Sequence, residues 1–245
     1  QLADKPTAAA DIAAAVVGGR IFVPGGRLAT GEVTNTLEIY DPREDTWSRG
    51  APLPQARSAY ALVAYEGKLY LFGGWDGAAF RASIFEYNPE LDRWRERSPM
   101  FDARGYAGAV IAGDAIYIMG GYDGEKVLTA NHAYFPGRDR EGDDPWERAS
   151  PLPEGRYAMG VASIADIVHV MGGTGEQAGF LALKYFPQRD EWQSFTSPIS
   201  DTWSDFGLVV VETYLYAVGG VLDGAYTGKT LAYQAVYSIN IPIVR

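Results

Sequence analysis

The chain of 245 residues has 47% hydrophobic residues, no cysteine and a formal net charge of −10. The absence of cysteine excludes disulfides, thiolate metal sites and thiol nucleophiles, and the negative charge disfavours nucleic acid as a partner because polyphosphate is repelled. No apolar run approaches the length of a membrane-spanning helix, and the length suits one all-β domain, which is our expectation for residues 1–245.

Five short apolar runs, each ending in a glycine pair, are predicted to be the second strands of five repeated units. In chain order they are "IFVPGG" (Gly25 and Gly26), "LYLFGG" (Gly73 and Gly74), "IYIMGG" (Gly120 and Gly121), "VHVMGG" (Gly172 and Gly173) and "LYAVGG" (Gly219 and Gly220). Their first glycines lie 48, 47, 52 and 47 residues apart. A repeat of this length indicates stacked supersecondary units.

A third and a fourth strand are predicted after each glycine pair. The third ends in tyrosine, at Tyr40, Tyr87, Tyr134, Tyr185 and, more loosely, Tyr237. The fourth holds a tryptophan seven residues later, at Trp47, Trp94 and Trp192, whereas the insertion "GRDREGDD" delays Trp146 in the third copy. These runs are rich in β-branched and aromatic residues and lack a helical period. The Ala-rich opening "TAAADIAAAVV" is also predicted to be a strand, because later copies have strand patterns there.

The glycine pair, the tyrosine before Asp-Pro or Asn-Pro and the later tryptophan resemble the kelch repeat. The resemblance covers nearly the whole chain and implies an all-β fold, a kelch-type β-propeller of five four-stranded blades. The repeats fall at about 9–56, 57–103, 104–155, 156–202 and 203–245, with 1–8 completing the last blade. We expect the ring to close by pairing of residues near Leu2 and Ala3 with the strand at 232–240. The alternative is a longer parent protein with six or more blades.

Two variable positions of the repeat are implied by this resemblance to face the mouth of the central channel. Sixteen residues before the first glycine lie Ala9, Arg57, Arg104, Arg156 and Trp203, and directly after the pair lie Arg27, Trp75, Tyr122, Thr174 and Val221. With their neighbours, the candidate ligand-binding residues are Arg27, Arg57, Ser58, Trp75, Arg104, Tyr106, Tyr122, Arg156, Tyr157, Trp203 and Asp205. Loops on a rigid scaffold, enriched in arginine and aromatic residues, are typical of binding sites.

We therefore expect a non-catalytic binding scaffold that recognises an acidic or polyhydroxylated ligand, either a peptide segment of a protein or a glycan. One alternative is a carbohydrate-active enzyme resembling the kelch-type sialic-acid epimerases, with Asp205 or Glu154 in acid–base catalysis. The other is a purely structural domain of a larger surface protein. No catalytic residue is assigned, and an enzyme is the less favoured interpretation.

The arginines distinguish these interpretations. An anion-binding site formed by Arg57, Arg104 and Arg156 requires unpaired or weakly paired guanidinium groups, so that Arg104→Ala abolishes binding without lowering the melting temperature. A structural role instead requires hydrogen bonds to loop carbonyls, or ion pairs with Asp76 and Asp123.

No cofactor or metal is expected, and we expect a monomer with an extracellular or cell-surface location slightly favoured. The insertion contains Asp139, Glu141, Asp143 and Asp144, which could supply oxygen ligands to Ca²⁺. It lacks an EF-hand pattern, so a solvated surface loop is the favoured interpretation. His169, one of two histidines, lies in an apolar strand and is predicted to belong to the core.

Overall fold

The structure is a computed structural model that describes residues 2–175, 182–197 and 203–235. The contacts divide the chain into two compact units, Gln1–Tyr157 and Ala158–Arg245. Each unit consists of antiparallel β-sheets, as the repeats predict. No helix in these ranges has the length and hydrophobicity to cross a membrane.

The first unit contains three sheets of four strands each, ordered as in the sequence. The first sheet comprises β1 (Ala15–Val17), β2 (Arg20–Pro24), β3 (Leu37–Asp41) and β4 (Thr46–Gly50). The second comprises β5 (Ala61–Tyr65), β6 (Lys68–Phe72), β7 (Ile84–Asn88) and β8 (Arg93–Arg97). The third comprises β9 (Gly108–Ala112), β10 (Ala115–Met119), β11 (Asn131–Tyr134) and β12 (Trp146–Ala149), with the helix α1 (Pro136–Glu141) between its last two strands.

The second unit repeats the pattern less completely. Its first sheet, the fourth of the chain, comprises β13 (Gly160–Ile164), β14 (Ile167–Met171), β15 (Ala182–Phe186) and β16 (Glu191–Phe195). The strands after it are β17 (Trp203–Ser204), β18 (Gly207–Val211), β19 (Tyr214–Val218), β20 (Val221–Leu222), β21 (Ala225–Tyr226) and β22 (Thr230–Gln234). They form two sheets, ordered β18-β19-β22 and β17-β20-β21. The predicted strand tyrosine Tyr237 lies outside the described residues.

The second strand of the second sheet, β6, is apolar on both faces because neighbouring sheets cover both. In β6, Leu69 and Leu71 belong to the core shared with the first sheet, and both are fully buried. Tyr70 and Phe72 point the other way, into the core shared with the third sheet. The alternation of side chains along a strand therefore places successive residues of β6 in two different cores.

The glycine pair of the second repeat meets both a conformational and a steric requirement. Gly73 has a φ of 59° and Gly74 a φ of 91°, values that side chains disfavour. A Cβ on Gly73 would also collide with the backbone oxygen of Arg104, and one on Gly74 with that of Ser58. The predicted reason for these glycines, a turn with no room for a Cβ, is confirmed.

In each of the first three sheets, the tyrosine and tryptophan of the repeat join the sheet to the chain segment before it. The Tyr87 hydroxyl donates to Asp92 Oδ1 at 2.6 Å, and that carboxylate accepts the Ala51 N–H at 2.7 Å. Trp94 Nε1 donates to the Ala51 carbonyl oxygen at 2.8 Å. Both backbone groups of Ala51, which follows the last strand of the first sheet, are thus held by the second sheet.

Ala3 is held in the same way by the first sheet. Its N–H donates to Asp45 Oδ1 at 2.7 Å, and its carbonyl accepts Trp47 Nε1 at 3.0 Å. Ala3 therefore makes the same contacts with the first sheet that Ala51 makes with the second. Residues 2–9 form no strand. The predicted pairing with 232–240 involves residues outside the described ranges and stays a prediction.

The insertion of the third repeat differs from its prediction as a loop. It forms helix α1, whose Asp139 accepts hydrogen bonds from the Tyr134 hydroxyl and, at 2.7 Å, from Ser98 Oγ. Asp139 thus keeps the position of Asp92, and the extra residues lie between it and Trp146. Among the residues that the structure describes, no group of three or more His, Asp or Glu could hold a metal ion.

Candidate functional site

The repeat arginines are buried. Arg57, Arg104 and Arg156 are exposed by 0%, 1% and 1%. Their backbone carbonyls accept hydrogen bonds from the second glycine of the preceding pair, at 2.7 Å from Gly26 to Arg57 and 2.8 Å from Gly74 to Arg104. The arginine loop of each repeat is therefore attached to the glycine turn of the repeat before it.

The Arg104 side chain binds groups of its own sheet. Nη1 donates to the Gly120 carbonyl at 3.1 Å, and Nη2 lies 3.3 Å from Asp102 Oδ2 and 2.8 Å from His132 Nδ1. Burial lowers the pKa of Arg104 to about 10, partly opposed by the charge of Asp102. The guanidinium is still a cation at neutral pH, and its charge interacts with Asp102 and the Gly120 carbonyl.

Arg57 is held similarly. Nη2 donates to Ser83 Oγ at 2.6 Å and to Gln55 Oε1 at 2.9 Å, and Nη1 donates to the Ala56 carbonyl at 2.9 Å. Arg156 lies 3.9 Å from Glu154. The expectation of open guanidinium groups at a channel mouth is therefore wrong for Arg57 and Arg104, because these groups bind loop atoms of the protein instead.

Trp203, in the second unit, occupies the arginine position and is also buried, with 1% exposed. Its Nε1 donates to the Gly219 carbonyl at 2.6 Å, and its ring packs on Phe206 at 5.1 Å. Trp203 thus supports its own glycine turn and does not present its ring to solvent, contrary to its prediction as a ligand contact. Asp205 is exposed and accepts a hydrogen bond from Ser204 Oγ at 2.9 Å.

Five half-buried aromatic residues of the first unit form one contiguous group. This aromatic cluster consists of Trp75, Phe80, Tyr106, Tyr122 and Tyr157, all partly exposed. Ring centroids lie 5.1 Å apart for Trp75 and Phe80, 5.8 Å for Phe80 and Tyr122, and 5.8 Å for Tyr122 and Tyr157. Tyr106 lies 6.3 Å from Phe80 and 6.0 Å from Tyr157. Four of the five are predicted site residues, and the structure brings them together.

Phe80 is the member that sequence reasoning missed. It forms a β-bridge with Trp75, and the corresponding bridge partners are Val33 for Arg27 and Val127 for Tyr122. Alignment of the repeats at this position would have shown one phenylalanine among valines. Phe80 also lies over Gly105, where a Cβ would come within 2.5 Å of its ring.

Backbone hydrogen bonds hold the loops that carry the cluster. Trp75 and Ser58 exchange two, at 2.8 and 2.9 Å, and Tyr122 and Gly105 exchange two at 2.9 Å. Ser58 is 1% exposed, so it contributes this backbone support and no accessible side chain. Arg27 is exposed and forms an ion pair with Asp11 at 2.7 Å.

A further set of backbone bonds links equivalent loop residues. The Ala59 N–H donates to the Asp11 carbonyl at 2.8 Å, and the Tyr106 N–H donates to the Ala59 carbonyl at 2.7 Å. Within the second unit, the Asp205 N–H donates to the Ala158 carbonyl at 2.9 Å. All five residues have φ values of 53° or 54°, in the left-handed region. We call this set the inner backbone chain.

Four-stranded antiparallel sheets with repeated glycine turns and with hydrogen bonds from the repeat tyrosine and tryptophan define a kelch-type β-propeller. The repeat count is consistent with five to six blades. The chain matches the KLHDC2/KLHL20/DRC7 Kelch-repeats domain over residues 2–173 and belongs to this family.

Individual relatives match shorter segments. An F-box/kelch-repeat protein of Arabidopsis thaliana is 39% identical over 74 residues, 30% of this chain and 20% of that protein. Kelch-like protein 40 of Xenopus laevis is 40% identical over 73 residues, 30% of this chain and 12% of that protein. The matches thus span a fifth or less of these relatives.

The solved structure of YjhT superimposes with a TM-score of 0.82, covering 94% of this chain and 82% of that one. The two sequences are 15% identical, so this likeness concerns the fold.

Proposed function

We propose that this chain is a non-catalytic binding scaffold whose aromatic cluster binds a peptide segment of a partner protein. The observation that carries the proposal is the contiguity of five partly exposed rings on loops fixed by backbone hydrogen bonds. Membership of the kelch family supports a protein-binding role in general.

The physical argument rests on ordered apolar surface. Trp and Tyr provide large contact area with one polar group each, so they bury an apolar ligand side chain and still hydrogen-bond at its edge. Because the rings pack against one another, little side-chain entropy remains to be lost when a ligand binds. Trp and Tyr are also the residue types that dominate binding energy at protein interfaces.

The buried arginines change the expected ligand. The guanidinium groups of Arg57 and Arg104 donate their hydrogen bonds to loop atoms, so they are not available to an acidic ligand. We therefore expect the bound segment to contribute an apolar or aromatic side chain to the aromatic cluster rather than a carboxylate.

The proposal is tested by selecting peptides from a random display library on the wild-type protein and measuring their affinities by calorimetry. We expect Trp75→Ala and Tyr122→Ala to weaken binding at least tenfold. The matched control is Tyr226→Ala, which removes a tyrosine that is 95% exposed in the second unit, and it should leave the affinity unchanged.

Equal affinities for all three variants would contradict the proposal, because the selected peptides would then bind elsewhere. A glycan array run in parallel tests the polyhydroxylated ligand. If no peptide is selected and Trp75→Ala abolishes binding to a glycan, the ligand of the aromatic cluster is a sugar and not a peptide.

A further inference from the structure

The second sheet carries a group of cations that the proposed function does not use. Arg93, Arg95 and Arg97 alternate along β8 with Trp94 and Glu96. Since alternate residues of a strand share a face, the three arginines lie on one face of the sheet, on a chain whose net charge is −10.

One buried carboxylate on this face is already fully engaged. Glu86, with 3% exposed, accepts Lys68 Nζ at 2.9 Å, Arg97 Nη2 at 2.7 Å and the Tyr70 hydroxyl at 3.1 Å. Burial acts to raise the pKa of Glu86, but the hydrogen bonds and charges of Lys68 and Arg97 outweigh it and hold this pKa below its ordinary value. Glu86 is therefore ionised and has its acceptor positions occupied.

Arg93 and Arg95 have no such partner. Both are exposed, and across the strand pair they lie opposite Asn88 and Glu86. Neither makes an ion pair or a side-chain hydrogen bond within the part of the chain that the structure describes. They line a pocket of about 220 Å³ together with Lys68, Glu86, Asn88 and Leu91. The lining thus holds three cations and one carboxylate.

The repeats show that the fold does not require these cations. Aligned on the repeat tryptophans, the positions of Arg93 and Arg95 hold Thr46 and Ser48 in the first sheet, Pro145 and Glu147 in the third, and Glu191 and Gln193 in the fourth. The other sheets form the same strand with neutral or acidic residues. Among the four sheets that carry the repeat tryptophan, only the second has cations at both positions.

We propose that this pocket binds a phosphate group, held by Arg93 and Arg95 with Lys68 at its inner wall. Arginine offers planar paired donors that match phosphate oxygens, and charge-assisted bonds of this kind are the strong ones. A dianion suits the pocket better than a single carboxylate because Glu86 neutralises only one of the three lining cations. The phosphate could be inorganic or part of a phosphorylated side chain.

The first experiment measures the melting temperature of the whole chain against inorganic phosphate, with acetate at matched ionic strength as the reference anion. Like charges in the empty pocket repel, so a bound anion stabilises the folded state by linkage. We expect phosphate, and not acetate, to raise the melting temperature. The double substitution Arg93→Gln with Arg95→Gln should abolish this rise.

The matched control is Arg49→Gln, which removes an exposed arginine from β4 of the first sheet and should respond to phosphate like the wild type. Circular dichroism establishes that the double variant is folded. An equal rise in the wild type and the double variant, or no rise in the wild type, would overturn the proposal.

A second experiment separates the two sources of phosphate. Calorimetry compares a short phosphoserine peptide with its serine counterpart and with inorganic phosphate. If the source is a phosphorylated protein, the phosphoserine peptide should bind at least tenfold more tightly than inorganic phosphate, and the double variant should lose that gain. Equal affinity for the peptide and for phosphate assigns the pocket to the free ion, and equal binding of the serine and phosphoserine peptides contradicts the proposal.

Discussion

Arg104 donates a hydrogen bond of 3.1 Å to the carbonyl oxygen of Gly120, sixteen residues ahead. Trp203 makes the same bond to Gly219, at the same spacing. A guanidinium and an indole thus do one task, which is to satisfy the carbonyl of a glycine whose turn leaves it without a strand partner. In these two repeats the side chain supports the glycine turn, whereas Arg57, at the same position, binds Gln55, Ala56 and Ser83 instead.

The first prediction follows for Arg104→Ala. It leaves the Gly120 carbonyl and His132 without their buried donor, so we expect the free energy of unfolding to fall by about 2–4 kcal/mol. Urea denaturation measures it. Arg49→Ala, at an exposed position, should change stability by no more than about 0.5 kcal/mol. An unchanged or raised stability for Arg104→Ala would contradict this structural role of Arg104.

The second prediction contrasts two tryptophans. Trp94→Ala removes a ring that is 8% exposed and its bond to Ala51, and should cost about 3–5 kcal/mol. Trp75→Ala, in the aromatic cluster, should cost about 1 kcal/mol or less. Calorimetric melting of both variants checks the order, and the reverse order would mean that the cluster serves stability.

The third prediction separates backbone conformation from steric fit. Gly67 has a φ of 72° and nothing within 4 Å of an added Cβ, whereas Gly73 has a φ of 59° and would collide with Arg104. Gly67→Ala should therefore cost about 1–2 kcal/mol from conformation alone. Gly73→Ala should cost at least about 1–3 kcal/mol more from overpacking. Similar losses in urea denaturation would show that the turn has room.

The fourth prediction concerns pH. Burial, aided by the charge of Arg104, lowers the pKa of His132 from 6.5 to about 4. As the pH falls below 6.5 the unfolded chain binds this proton first, so stability present at pH 7 is lost towards pH 4. Between pH 7 and pH 5 the wild type should lose about 1–2 kcal/mol more than His132→Gln. Parallel losses in the two proteins would contradict the buried neutral imidazole.

The sequence predicts the sheets well because each repeat contains the local residue patterns that specify its strands and turns. The apolar run of β6, the turn at Gly73 and the tryptophan Trp94 are local patterns that recur at a nearly fixed period, so one copy corrects the interpretation of another. Helix α1 escaped prediction because an insertion has no second copy with which to compare it.

The candidate site was harder to predict because the direction of each side chain decides which residues a ligand can reach. Position in the repeat placed Arg57 and Trp75 near one another along the loops, but it did not show that one side chain turns inward and the other remains partly exposed. Phe80 was missed because its place in the cluster depends on its β-bridge with Trp75, a pairing that the residue pattern of the turn does not reveal.

The inner backbone chain has a consequence for how this surface can change. Its bonds between Asp11, Ala59 and Tyr106 use only N–H and carbonyl groups, so the attachment of one loop to the next involves no side-chain atom, and only the positive φ restricts the residue type. An acid, a methyl group and a phenol already occupy equivalent places. New recognition chemistry can therefore arise here by single substitutions, one loop at a time, while the joints between the sheets are inherited intact.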